Sequence, residues 1–141
     1  MDIYQSNNYK ENIIKSNYYI LKFLLTQNVD FYVVCHTNVI DFNPPVPSSI
    51  IEFDELTPFY IANYTLESSV LNKDSLSFET GFGADNFGSI LTIPLEAIYQ
   101  IIYKEELLAI NYYKPQKKKD SMDIFLNNPE NLKLFKNNNK K

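Results

Sequence analysis

The chain has 141 residues, 45% of them hydrophobic and 15% aromatic, and its thirteen basic residues, all lysine, stand against seventeen acids for a net charge of −4. One sizeable core can be built from this length and hardly two, and the acidic balance argues against nucleic acid as main partner, because phosphate binding draws on clustered positive charge. No apolar run reaches the roughly 18 residues of a membrane span, the polar start MDIYQSNNYK lacks a signal peptide's apolar stretch, and the single Cys35 has no internal partner, so a cytoplasmic protein without membrane association is expected.

After a frayed, polar start, Ile13, Ile14, Asn17, Tyr18, Leu21, Leu24 and Leu25 recur at helical spacing with Lys15 and Lys22 off the stripe, which predicts a helix from about residue 10 to 27. The stripe can pack on its own chain or on a second copy, and the two readings can use different faces. Val29 to Thr37 is β-branched and aromatic, a strand with Phe31, Val33 and Cys35 on one side and Tyr32, Val34 and His36 on the other. Adjacent strand residues cannot converge on one atom, so Cys35 and His36 do not read as nucleophile and base. A lone histidine is likewise a poor start for a metal site, since zinc needs three or four ligands.

Asp41 to Ser49, DFNPPVPSS, reads as a rigid proline loop. Ile50 to Phe53 and Pro58 to Tyr64 read as a hairpin turning at Asp54-Glu55, and short strands bracket a turn at Asn72-Lys73-Asp74. The stretch from Leu76 to Tyr103, LSFETGFGADNFGSILTIPLEAIYQIIY, holds all three glycines. Leu76, Phe78, Thr80 and Phe82 alternate with Ser77, Glu79 and Gly81, the period of a strand. Gly81, Gly83 and Gly88 then mark a bulge, a tight reversal or a close backbone approach. Ile90 to Ile93 resumes the sheet, and from Pro94 the spacing of Leu95, Ile98, Tyr99 and Ile102 predicts a short amphipathic helix.

Leu107 to Tyr113 is apolar enough for an edge strand, and Lys114 to Asp123 reads as solvated linker. In the terminus NPENLKLFKNNNKK, the apolar Leu132, Leu134 and Phe135 stand among lysines and asparagines, the pattern of a docking peptide. Five or six short strands between Val29 and Ile93 place the chain in the mainly β part of the α+β class, as a small barrel or sandwich.

Phe78, Gly81-Phe82-Gly83, Thr92-Ile93-Pro94-Leu95 and AIYQIIYKE resemble the stringent starvation protein B family, whose members carry F-x-x-R-F-G-G and then V-P-L-x-A-V-x-A-I-Y-A-R-E. Upstream, IANYTLESSVLNKDSLSF is similar, without gaps, to the family's I-A-P-x-A-x-x-x-L-x-L-x-N-D-x-x-x-F. The resemblance spans roughly residues 18 to 106, and it departs from the family at Gly81 in place of arginine and Ala84 in place of the second glycine. It implies a proteolytic adaptor that holds ssrA-type degradation-tagged peptides and delivers them to the ClpXP protease. It also implies a peptide-binding domain over residues 1–112, with an SH3- or Sm-like barrel over about 29–112, then a linker over 113–130 and a tail over 131–141. Members pair as homodimers through the N-terminal helix, which points to Tyr18, Leu21, Leu24 and Leu25. Leu132, Lys133, Leu134, Phe135 and Lys136 are similar to the family's L-R-V-V-K peptide, which docks on the N-terminal zinc-binding domain of ClpX.

A degradation tag is an extended peptide, and such peptides bind by adding to an exposed strand edge. Phe78 to Gly83 is the candidate edge: Gly81 and Gly83 would let a ligand backbone approach, while Ile61, Phe78, Thr80 and Phe82 would shape pockets. Phe78 and Phe82 also read as core residues, and the alternation favours that reading for at least one of them. No catalytic residue, metal or cofactor is expected, because no phosphate loop, nucleophile elbow or metal motif occurs and the pairs Glu52/Glu55 and Glu105/Glu106 are unremarkable. The alternatives are another non-catalytic interaction domain or an Sm-like RNA-binding module, whose bases eleven tyrosines could stack but which the acidic charge disfavours.

Overall fold

The computed structural model describes residues 2–116. Helix α1 (Asn7–Gln27) begins at Ser6, whose hydroxyl accepts the Tyr9 amide at 3.1 Å, and ends at Asn28 in the left-handed region with φ 56°. Its stripe turns inward: Asn17, Leu21 and Leu24 are buried, and Ile14, Tyr18 and Leu25 pack beside them. The start is not frayed as expected. Ile3–Gln5 coils into a 3-10 turn, and the Gln5 carboxamide bonds the Lys114 main chain in both directions, donating to its carbonyl at 2.9 Å and accepting its amide at 2.7 Å.

The strands are β1 (Phe31–His36), β2 (Asp41–Asn43), β3 (Leu56–Ile61), β4 (Val70–Leu71), β5 (Ser75–Phe82), β6 (Phe87–Pro94), β7 (Ile98–Tyr103) and β8 (Glu106–Ile110), with a short helix α2 (Asn63–Glu67) after β3. They make two four-stranded antiparallel sheets, ordered β3-β1-β7-β8 and β2-β6-β5-β4. The fold is thus α+β and mostly strand, one long helix against two sheets. The sheets are not closed into a barrel.

What joins them is a bend. β1 passes through a 3-10 turn at Thr37–Val39 into β2, and β6 passes through Leu95–Ala97 into β7. Because β1 pairs with β7 and β2 with β6, the two sheets share one bent antiparallel ribbon. Bending a ribbon takes carbonyls out of the ladder, and a buried carbonyl left without a donor is costly. Two buried asparagines supply the donors. Asn17 Nδ2 on α1 donates to the carbonyls of Leu95 (2.9 Å) and Ile98 (3.3 Å), and Asn111 Nδ2 donates to those of Glu96 (2.8 Å) and Ile98 (3.0 Å). Leu95, Ala97, Ile98 and Ile101 then drop fully into the core with Phe31, Val33, Ile61, Leu76, Phe78, Leu91 and Ile93.

Two expected elements are corrected here. Only a one-turn 3-10 helix, Leu95–Ala97, follows Pro94 in place of the expected amphipathic helix, because the apolar spacing beyond it belongs to a bulged strand. The register of β7 on β1 shifts between Val34 and Cys35, so Ile98 and Ile101, three apart, reach the same core. Nor do residues 50–53 form a hairpin with Pro58 to Tyr64. β3 pairs instead with β1, Phe31 opposite Ile61, and the chain from Asn63 turns into α2. Residues 44–55 form a connection held by Phe53, which stacks on Phe42 (5.0 Å between ring centres) and meets Phe82 edge-on (5.3 Å). The edge strand expected near Leu107 forms as β8, and Asn72–Asp74 makes the turn between β4 and β5.

Asn17 closes the bend from the helix side, so Asn17→Ala should cost about 1–3 kcal/mol, the loss of two buried hydrogen bonds, while the Leu95 carbonyl keeps the Ile98 amide and the Ile98 carbonyl keeps Asn111. Urea denaturation measures it; a loss under about 0.5 kcal/mol, the size of a neutral surface substitution, would contradict this role for Asn17.

Candidate functional site

β5 is a central strand for only part of its length. On one side it pairs with β6 from Ser75 to Phe82; on the other, β4 covers it only at Leu76 and Ser77. One step further the partner is a side chain: Ser68 Oγ accepts the Glu79 amide at 2.9 Å, in the place β4 would occupy if it continued. Alternation in an antiparallel ladder turns the amide and carbonyl of Gly81 the same way as those of Glu79. There the chain has already coiled into α2, and on that side no described strand pairs with Gly81. The main chain of Gly81 therefore opens into a cleft of about 330 Å³ lined by Thr80, Gly81 and Asn86 on one wall and Tyr60, Ala62, Asn63, Tyr64 and Thr65 on the other.

The chemistry of those walls is neutral and rich in hydrogen-bonding groups. Asn63 and Asn86 both hold φ of 53°, in the left-handed region that asparagine tolerates best after glycine. A carboxamide offers two donors and an acceptor, the complement of a peptide unit. The Asn86 carboxamide lies over Gly81, where a Cβ would collide with it. Tyr64 Oη donates to Glu79 Oε2 at 2.8 Å, and that bond, more than the carboxylate's charge or partial burial, raises the Tyr64 phenol above its ordinary value. Tyr60 Oη donates to Asp30 Oδ2 at 3.3 Å; partial burial and then Asp30's charge raise its phenol also. Tyr60 borders a second cleft, of about 580 Å³, running past Tyr32, Ile102 and Lys104. Tyr32 stacks on Tyr60 at 4.5 Å and 23°.

The residues expected at the site divide into three groups. Thr80 and Gly81 line the cleft. Ile61 and Phe78, at 0% and 1% exposure, are corrected to core residues with no surface for a ligand. Phe82 lies within the Phe42–Phe53 aromatic group, and Gly83 sits in the β5–β6 turn with φ 73°, where a Cβ would come within 2.7 Å of Ile50 Cγ2. Neither lines the cleft. Tyr60, Asn63, Tyr64 and Asn86 were missed. In sequence Asn63 and Tyr64 continue the strand pattern, and only Asn63's ease in the left-handed region hints that the chain turns there.

On α1, Leu21 and Leu24 are 0% and 2% exposed, which corrects their assignment to a dimer interface; they serve the chain's own core, and Tyr18 and Leu25 pack half-buried at its margin. The outward residues are Tyr19 and Phe23, 66% and 62% exposed and one helical turn apart. Cys35 is buried and its thiol pushed up by that burial. His36 faces the other side of the strand, its imidazole lowered by partial burial against the opposing pull of Glu55. Leu132, Lys133, Leu134, Phe135 and Lys136, with the linker from residue 117, lie outside the described residues. No helix among the described residues is long and apolar enough to cross a membrane. The chain matches no protein-family model, and no curated protein matches its sequence.

Proposed function

We propose that this chain is a non-catalytic adaptor of the stringent starvation protein B type, which grips an extended ssrA-type tag at Gly81 and hands the tagged polypeptide to ClpXP. The observation that carries the reading is the uncovered main chain of Gly81, opening between two asparagines and two tyrosines. An incoming peptide there takes the place that β4 vacates, trading main-chain hydrogen bonds with Gly81 while Asn63 and Asn86 meet its amides. Glycine is suited to the position because a side chain would displace Asn86. We read the two sheets as the opened halves of the SH3- or Sm-like barrel that the resemblance implies. The tail then works by proximity: Leu132 to Lys136 binds the ClpX N-terminal domain and raises the tag's local concentration to the order of millimolar for a short linker. The described residues carry six lysines against fourteen carboxylates, which favours this over the RNA-binding alternative.

The test uses the full chain and a fluorescein-labelled ssrA-type peptide in an anisotropy titration. Binding is expected, and methylating alternate backbone nitrogens of the peptide should weaken it by at least about tenfold, since the bonds replaced are main-chain ones. ClpXP degradation of a tagged fluorescent reporter should accelerate with the chain and not with a version lacking residues 131–141. No affinity for the tag, or equal binding of the methylated peptide, would contradict the reading.

Pairing through α1 remains part of the proposal, carried by Tyr19 and Phe23 instead of Leu21 and Leu24. In sedimentation at tens of micromolar the chain should run as a dimer, and Tyr19→Ser with Phe23→Ser as a monomer with unchanged circular dichroism. A wild-type monomer would remove the pairing claim and leave the cleft untouched.

A further inference from the structure

The cleft's lining is neutral, but two carboxylates stand just behind it, and they say which peptides it favours. Each of its two tyrosines is tied to a carboxylate: Tyr64 to Glu79 at 2.8 Å and Tyr60 to Asp30 at 3.3 Å. Both residues are at least half exposed, 59% and 50%, though one face of the Tyr60 ring is taken by Tyr32. That stack fixes the ring's plane. An electron-rich ring face beside a carboxylate attracts an ammonium or guanidinium group and repels another carboxylate. None of the eight residues lining the cleft is charged, so no lining cation offsets Glu79 and Asp30. The neighbouring cation, Lys104, lies over its own Tyr103, 5.5 Å from the ring centre.

We propose that the Gly81 cleft selects extended peptides bearing lysine or arginine, one cationic side chain resting against Tyr64 and Glu79 and a second against the Tyr60–Tyr32 stack and Asp30. The inference rests on the peptide-binding reading of the cleft and adds to it the class of peptide. Main-chain bonding at Gly81 supplies grip whatever the sequence, and the two tyrosine–carboxylate pairs supply the choice. The same charges speed the encounter, because an acidic surface draws a cationic chain toward it.

Three pools of fluorescein-labelled peptides of about ten residues test it, identical except for lysine, glutamine or glutamate at two fixed positions, the remainder randomised over small and apolar residues. On the wild-type chain the lysine pool should bind about tenfold tighter than the glutamine pool, roughly threefold from each half-exposed site, and the glutamate pool weakest. Asp30→Asn with Glu79→Gln, which keeps shape and hydrogen bonding, should bring the pools within about twofold of one another. A control losing two charges elsewhere, Glu11→Gln with Asp74→Asn, should keep the preference. Equal binding of lysine and glutamine pools, or a lysine preference that survives the first variant, overturns the charge selection while leaving the cleft in place. If no pool binds, the peptide-binding reading falls and this inference with it.

Discussion

The fold turns on three carbonyls. Where β6 bends into β7, the carboxamides of Asn17 and Asn111 donate to the oxygens of Leu95, Glu96 and Ile98, the first of which also accepts the Ile98 amide. Both asparagines are buried, at 2% and 1% exposure, so water cannot substitute for either. Asn17 belongs to α1 and Asn111 to the chain beyond β8, so the helix, both sheets and the C-terminal segment meet at one hydrogen-bonded corner. The N-terminus then fastens to the same segment through Gln5 and Tyr9, whose phenol accepts the Tyr112 amide at 3.0 Å.

That corner also positions the cleft. Because the ribbon bends, β3 lies at the edge of one sheet and β5 runs within the other, and the connection between them through α2 is too short to extend β4 past Ser77. Ser68 mends one missing bond, at Glu79, and Gly81 is left facing the gap. The opening is thus a consequence of where the chain coils into α2.

Much of this was legible in the residues, and the failures have physical causes. The α1 stripe, the inward face of β1, the alternation in β5 and the apolar edge at β8 follow from simple periods that packing preserved. The stretch after Pro94 misled because a bulge turns a two-residue period into a three-residue one, which imitates a helix. Residues 50–53 misled because Phe53 is apolar for its place in an aromatic group, not for strand pairing. At the site, a sequence can mark Gly81 as a place of backbone access, but the facing wall comes from Tyr60 to Thr65, whose coil into α2 nothing but Asn63 hinted at. Likewise, apolar periodicity could not distinguish the side of α1 that packs at home, Leu21 and Leu24, from the side that stays outside, Tyr19 and Phe23.

The central claim is that a peptide backbone adds beside β5 at Gly81. A 15N-labelled chain titrated with an ssrA-type peptide and followed by heteronuclear NMR tests it most directly. The account predicts that the amides of Asn63 to Thr65, Thr80 to Phe82 and Asn86 shift together and saturate at one affinity, with the Gly81 amide newly protected from hydrogen exchange. Shifts confined to α1 or to β8, with Gly81 exchanging as before, would contradict it.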